Sequence, residues 1–206
     1  MYKVFYNQKS LHFTTVLSNN SKTTPLFFIK YASANSIIKA LKDRVVTEVY
    51  LYHSNVKKIE KHFFKTFPSV EAAGGLVKHQ DGRYLFIYRN NKWDLPKGGV
   101  EKKEMIIEAA QREVTEETGV SDLTVEKKLS ETFHLFKKGK RYRLKKTYWF
   151  KMKTNYMGEL KPQTEEGIEN AKWISKDKIS YILNDAFENI RLIVMEVLDS
   201  DSFWDK

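Results

Sequence analysis

Three glutamates, Glu113, Glu116 and Glu117, sit close together in the chain, and Arg112 immediately precedes them. At ~100° per helical residue, Glu116 and Glu117 lie roughly 60° and 40° to either side of Glu113, so the carboxylates share one arc of ~100°. Like charges at this spacing destabilise a helix, and a sequence serving structure alone would tend to avoid them. A cation beside the arc removes the conflict. Hard divalent cations such as Mg2+ take oxygen ligands, usually a few carboxylates completed by water and substrate phosphates. Arg112 stands one turn before Glu116 and two turns after Glu104, with Glu108 between. From there a planar guanidinium can pair with those carboxylates and hold their rotamers. The competing reading is an exposed, Glu-rich amphipathic helix with a glycine cap.

A helix over about Glu104–Thr118 must carry this arc, with Ile107, Ala110 and Val114 as the apolar stripe that seats it on a sheet. Gly98-Gly99 lets the chain turn tightly and approach a metal or phosphate with its backbone, and Gly119 supplies the left-handed residue that commonly ends a helix. Strands are expected at Val70–His79 and Tyr84–Arg89 around the turn Gln80-Asp81-Gly82-Arg83, at Thr124–Lys137 and Arg141–Lys153 around Lys138-Gly139-Lys140, and at Ala171–Ile174. Lys161–Gly167 reads as a polar loop. A helix from about Ile179 to Leu198 presents Ile182, Ala186, Phe187, Ile190, Ile193, Val194 and Val197 at helical spacing, as a core-facing stripe.

Residues 1–68 have a different texture and read as a small basic α+β domain, with Pro68-Ser69 as the boundary to a second domain over 69–206. Its expected strands are Tyr2–Tyr6, Leu11–Leu17, Leu26–Lys30 and Val46–His53. Its expected helices are Asn35–Lys42, with Ile37, Ile38 and Leu41 on one side, and Ser54–Phe67, capped by Ser54 or Asn55, with Val56, Ile59, Phe63 and Phe67 at helical spacing.

The net charge is +10, of which residues 1–68 hold +8 through 11 Lys/Arg and 3 Asp/Glu. Such a balance favours anionic partners: phosphates, nucleic acid or an anionic surface. There is no cysteine, which excludes disulfides and thiolate chemistry and fits a cytoplasmic location. No run approaches the ~18 apolar residues of a membrane helix, so no membrane partner is expected, and Met1–Tyr6 lacks the pattern of a secretory signal.

Gly98–Val120 resembles the signature of the Nudix hydrolases, G-x5-E-x7-R-E-U-x-E-E-x-G-U with U aliphatic, at every specified position. The resemblance covers about residues 69–200. It implies an α/β fold, an α/β/α sandwich around a mixed sheet, and hydrolysis of nucleoside diphosphates linked to a further group. Carried onto this chain, Glu113, Glu116 and Glu117 would ligate Mg2+ or Mn2+ with the backbone carbonyl of Lys97. Catalysis would fall to Glu113, Glu116, Arg112 and a loop glutamate, Glu166 or its neighbour Glu165, with the general base either a box glutamate, Glu113 or Glu116, or that loop glutamate.

Substrate choice is less sharply marked. Trp93-Asp94-Leu95-Pro96-Lys97-Gly98-Gly99 is similar to the W-x-x-P-K-G stretch of Nudix enzymes acting on dinucleoside polyphosphates, diphosphoinositol phosphates or RNA caps. Position 136 is Phe, not the proline usual in ADP-ribose pyrophosphatases, and the tyrosine that dinucleoside polyphosphate hydrolases tend to carry near that point is replaced by Phe133 and Phe136. Arg141, Arg143 and Lys145 would project from one face of a strand and, with Lys97, grip a highly charged substrate such as a dinucleoside polyphosphate or NTP. The other reading of that hairpin is an edge blunted by lysine. The expected partner is a nucleoside-diphosphate-linked small molecule, with nucleic acid ranked below it and a homodimer open. Lys57, Lys61 and Lys65 recur along one helix of residues 1–68 and leave nucleic-acid contact, dimerisation or lid duty, and plain scaffolding as its roles. The rival from another class is a Nudix-type module that senses a nucleotide or RNA without turning it over.

Overall fold

The computed structural model describes residues 3–17 and 20–202, without the side chains of 201–202. Tyr2, the expected start of the first strand, and the Phe203–Lys206 tail lie outside the described residues. In chain order the elements are β1 (Val4–Tyr6), β2 (Lys9–Thr14), β3 (Leu26–Phe28), α1 (Ala34–Lys42), β4 (Glu48–Tyr52), α2 (Val56–Thr66), β5 (Ser69–His79) and β6 (Tyr84–Arg89). They continue with β7 (Lys92–Asp94), β8 (Lys97–Gly99), α3 (Ile106–Thr118), β9 (Thr124–Lys128), β10 (Thr132–Lys138), β11 (Arg141–Thr154), β12 (Ile168–Ile174), α4 (Lys176–Leu183) and α5 (Glu188–Ser202). Strand pairing is mixed and helices flank the strands, the α/β class that the sequence implies. Among the described residues no helix is long and apolar enough to cross a membrane.

The chain forms two compact units, one of residues 1–70 with 132–146, the other of 71–131 with 147–206. In the first unit, β1 pairs antiparallel with β2 and parallel with β10, and β4 runs parallel to both β2 and β3. Ile37, Ile38 and Leu41 of α1 and Ile59, Phe63 and Phe67 of α2 and its C-cap meet Val4, Leu11, Val49, Leu51, Phe133, Leu135 and Leu144 in one core. Residues 132–146, expected in the second domain, cluster here because Phe133, Leu135 and Leu144 bury their side chains in that core. Ser33 begins α1 with a capping box and Asn55 caps α2 by accepting from the Lys57 and Lys58 N–H groups. Val56, expected on the apolar stripe of α2, is exposed, because it occupies the first turn beyond the core.

In the second unit the strands β5, β6, β11 and β12 separate two cores, as alternation of side chains across a strand requires. Ala73, Val77, Leu85, Phe150 and Met152 face α3, whereas Leu76, Tyr84, Phe86 and Trp149 face α4 and α5. The long strand expected at 124–137 is interrupted at 129–131, where Leu129 N–H donates to the Trp149 carbonyl and Ser130 N–H to the Glu196 carboxylate. The expected C-terminal helix is two helices with its apolar stripe intact. The turn between them is where Trp93 N–H donates to the Asp185 carbonyl and Lys92 pairs with the Asp185 carboxylate at 2.7 Å. A helix running through 184–187 would spend that carbonyl internally.

Candidate metal centre

Strand β8 pairs antiparallel with β5, with Ala72 opposite Gly99, Ala73 opposite Gly98 and Gly74 opposite Lys97. Gly75 N–H donates to the Pro96 carbonyl and Val100 N–H to the Glu71 carbonyl. Hydrogen-bonded and non-bonded pairs alternate in such a ladder, which leaves Lys97 at a non-bonded position with both backbone groups turned away from β5. Its N–H donates to Glu117 Oε2 at 2.8 Å, and its carbonyl shares that direction. Neither Gly98 nor Gly99 has a positive φ, so the expected need for a tight turn is not what places glycine here. Gly98 is required because the Glu113 carboxylate packs against its α-carbon.

Helix α3 starts two residues later than expected. Met105 is its N-cap, Glu108 reaches back to accept from the Met105 N–H, and Gly119 ends the helix at φ 76°. Glu108 is thereby occupied in capping and does not join Arg112. Glu104 lies before the helix, not on it, and accepts from the Glu101 N–H. Ile107 is exposed; the buried face of α3 runs through Ala109, Ala110, Glu113, Val114, Glu117 and Thr118. Three of those six positions are polar, and two of the polar ones are the expected metal ligands.

Arg112 binds the glutamates as expected. Its Nε donates to Glu104 Oε1 at 2.7 Å and one terminal nitrogen donates to Glu104 Oε2 at 2.9 Å, a two-pronged pairing. That nitrogen also donates to the Gly99 carbonyl at 2.9 Å. The other terminal nitrogen bridges Glu113 Oε1 at 2.8 Å and Glu116 Oε2 at 2.9 Å. A positive charge therefore already stands between two carboxylates, each of which keeps a second oxygen for another cation. Pairing with Arg112, then the Glu101 N–H, holds the Glu104 carboxyl down at about 2. Burial pushes Glu113 up against the pull of Arg112, and Glu116 and Glu166 add to the rise.

Glu117 points to the opposite side of the arc and is fully buried. Burial raises its pKa to about 7, although the Lys97 charge and N–H and the Arg89 charge pull it down. Behind it lies a network that the sequence reading did not single out. Lys97 Nζ pairs with Asp94 Oδ2 at 2.5 Å, Asp94 Oδ1 accepts from the Leu95 N–H at 2.8 Å, and Arg89 stands 3.5 Å from both Asp94 and Glu117. The Lys97 ammonium, expected to touch substrate, is buried on Asp94 instead. Asp94 three residues before Lys97 was the signal available in the sequence; Arg89 left none, since only β6–β7 pairing brings it there.

The loop that carries Glu165 and Glu166 is fastened to the end of α3. Lys161 N–H donates to the Thr118 carbonyl and Gln163 N–H to the Glu117 carbonyl. A single 3-10 turn at Thr164–Glu166 then leaves both glutamates exposed, with Glu166 near enough to raise Glu113. Oxygens from Glu113, Glu116, Glu117 and the Lys97 carbonyl are the candidate donors, and an all-oxygen set of this kind would suit a hard divalent cation. Among the described residues no three acidic or histidine side chains form a ready-made cage; water and substrate phosphates would complete the shell. Arg141, Arg143 and Lys145 belong to the other compact unit, where the Lys145 ammonium lies over the Phe136 ring at 5.2 Å.

A family model described as NUDIX domain matches residues 68–195. An RNA pyrophosphohydrolase from Bartonella tribocorum is 30% identical over 81 residues, covering 34% of this chain and 47% of that protein, so the chain spans about half the length of this curated relative. The crystal structure of the MutT protein from Methanosarcina mazei Go1 superposes with a TM-score of 0.50 at 22% identity, over 66% of this chain and 96% of that one. At that identity the likeness speaks for the fold.

Proposed function

Because the chain belongs to the NUDIX domain family, we propose that it hydrolyses a diphosphate linkage in a nucleotide-linked substrate with the help of Mg2+ or Mn2+. The observation that carries the reading is the single terminal nitrogen of Arg112 bridging Glu113 and Glu116, beside a buried Glu117 that accepts from the Lys97 N–H. A purely structural helix has no use for three carboxylates gathered on one flank, two of them on its buried face.

Glu113, Glu116, Glu117 and the Lys97 carbonyl would hold the cations. When bound, such ions neutralise the diphosphate and lower the pKa of a water. Arg112 keeps Glu113 and Glu116 in place through the cycle, because its other prongs are tied to Glu104 and the Gly99 carbonyl. Glu166, exposed on its anchored loop, takes the proton of the attacking water, with Glu113 or Glu116 as the alternative base. The water oxygen bonds to one phosphorus as the bond from that phosphorus to the bridging oxygen breaks, and the second phosphoryl group leaves with that oxygen. Dinucleoside polyphosphates are favoured by the Trp93–Gly98 stretch, which is similar to that of Nudix enzymes acting on them, and NTPs share their polyphosphate chemistry. The likeness to an RNA pyrophosphohydrolase adds RNA to the candidates.

The test is product release from a panel of dinucleoside polyphosphates, NTPs, ADP-ribose, NADH, diphosphoinositol phosphates, capped RNA and 5′-triphosphate RNA with Mg2+ or Mn2+. Wild type and Glu116→Gln/Glu117→Gln run side by side. Turnover of one class, lost in the double variant, supports the proposal and names the substrate. Equal turnover in both chains removes the metal mechanism, and tight binding of one ligand without turnover makes the protein a sensor.

A further inference from the structure

Within the first compact unit, the end of β3, the turn after it, the end of β4 and the flank of α2 gather aromatic rings and cations. Phe28 and Tyr52 meet edge to face with centroids 5.2 Å apart. The Lys30 ammonium lies 5.1 Å from the Tyr31 ring centroid. His53 and His62 stack at 5.7 Å with 21° between their planes. Phe28, Lys30, Tyr31, Tyr52, His53 and Ser54 line an open depression of about 220 Å3. Phe28 is 50% exposed and Tyr31 77%, so neither ring is spent on the core. His62 links this depression to α2: its ring stacks on His53, Lys61 is its chain neighbour and Lys65 stands three residues on. Burial first, then His53, Lys30, Lys61 and Lys65, push its imidazole below the usual value. Residues 1–68 contain only three acids, Asp43, Glu48 and Glu60, and none of them lines the depression.

We propose that this surface binds single-stranded nucleic acid, with Phe28, Tyr31 and Tyr52 as stacking platforms for unpaired bases and Lys30, Lys61 and Lys65 as contacts to the phosphates. Exposed rings interleaved with cations suit a chain that alternates flat apolar bases with charged linkers. An acidic peptide would use the lysines and leave the rings wet. A duplex hides its base faces and would do the same. Of the lysine row on α2, Lys61 and Lys65 act here, whereas Lys57 and Lys58 lie in the first turn, beside the Asn55 cap. The inference is independent of the hydrolytic reading, since the surface contains none of the residues assigned to the metal centre.

The experiment is fluorescence anisotropy of 5′-labelled single-stranded 12-nucleotide RNA and DNA of mixed sequence, with the matching labelled duplex and labelled polyglutamate beside them, against the full chain at several salt concentrations. The variants are Phe28→Ala/Tyr31→Ala and Lys30→Gln/Lys61→Gln/Lys65→Gln, with Lys127→Gln/Lys172→Gln as a control for exposed charge elsewhere. All the substituted side chains are exposed, and thermal melts check that each variant stays folded. The expected result is salt-sensitive binding that weakens roughly fivefold or more on losing the rings. The three-lysine variant should lower the log–log salt slope by about two, at ~0.7 per phosphate contact on a single strand, and the control should match wild type. Preference for RNA or for DNA would each support the proposal and identify the source. It is overturned if wild type does not bind, if the ring variant binds as tightly as wild type, or if duplex or polyglutamate binds as well as the single strand.

Discussion

Gly98 and Glu113 compete for one volume: a β-carbon at position 98 would stand 1.8 Å from Glu113 Oε2. The carboxylate is the far end of a side chain and can swing away, so Gly98→Ala should fold while displacing Glu113, a proposed metal ligand. Turnover is expected to fall at least ~tenfold, the low end for disturbing a ligand's support, with Tm lowered by only a few degrees. Gly74→Ala is the contrast. Its β-carbon would meet the Pro96 carbonyl oxygen at 2.2 Å, a backbone atom that cannot yield, so the loss should appear chiefly in Tm. Melting curves and kcat for the two variants check the pair; a Gly98→Ala enzyme of full activity would remove the positional role of that glycine.

Arg112 ties Glu104, Glu113, Glu116 and the Gly99 carbonyl together. Arg112→Ala should lower turnover roughly 10–100-fold and raise the Mg2+ concentration needed for half-maximal rate. Arg112→Lys should not restore it, because an ammonium cannot reproduce the fork. Recovery of normal Mg2+ dependence with lysine would reduce the role of Arg112 to its charge.

The folded value for Glu117, about 7, lies above its ordinary 4.5 because of burial. In the metal-free chain its contribution to stability is therefore full below about 4.5 and is lost as the pH rises through about 7. Cation binding needs the ionised form, so Mg2+ affinity should climb over the same window. Melts with EDTA between pH 4.5 and 8 should fall more steeply for wild type than for Glu117→Gln, and parallel curves would contradict the assignment. Glu104 has the opposite sign. Held at about 2 by Arg112, it contributes stability that is present above its ordinary value of 4.5 and disappears as the pH falls through about 2.

Asp94 and Lys97 are both less than a tenth exposed in their 2.5 Å pair. Removing Asp94 takes the direct ion-pair partner from a buried Lys97 ammonium, which costs about 3–5 kcal/mol. Asp94→Ala should accordingly lower Tm by on the order of 10 °C, at 2–4 °C per kcal/mol in a chain of this size. Asp94→Ala/Lys97→Met, which removes both charges, should recover part of that loss. A double variant less stable than the single one would mean the pair is not coupled.

If Glu166 removes the proton of the attacking water, Glu166→Gln should lower kcat more than Glu165→Gln in steady-state assays with saturating Mg2+. Equal effects of the two substitutions would move the base to Glu113 or Glu116.

The centre was legible where its logic is local. Arg112, Glu113, Glu116 and Glu117 occupy fixed angles on one helix, so their spacing alone places them together. Interactions set by tertiary packing left no such trace: Arg89 reaches Glu117 across 28 residues, and Glu108 caps Met105 when spacing offered it to Arg112. Apolar periodicity likewise passes unbroken from Ile182 to Val197, yet the helix stops at 183 because β7 docks on the Asp185 carbonyl. A regular pattern reports which face is buried, not whether one helix or two present it.

The first compact unit is assembled from two stretches of chain that are far apart, and β11 passes from one unit to the other between Lys146 and Thr147. No single cut can therefore separate the halves. A fragment beginning at residue 69 would keep Phe133, Leu135 and Leu144 while losing Val4, Leu11 and Ile37, against which they pack, and would carry an apolar, strand-forming hairpin prone to self-association. Grafting or trimming this protein calls for two incisions, at about 70 and around the hairpin, with the hairpin replaced by a short turn.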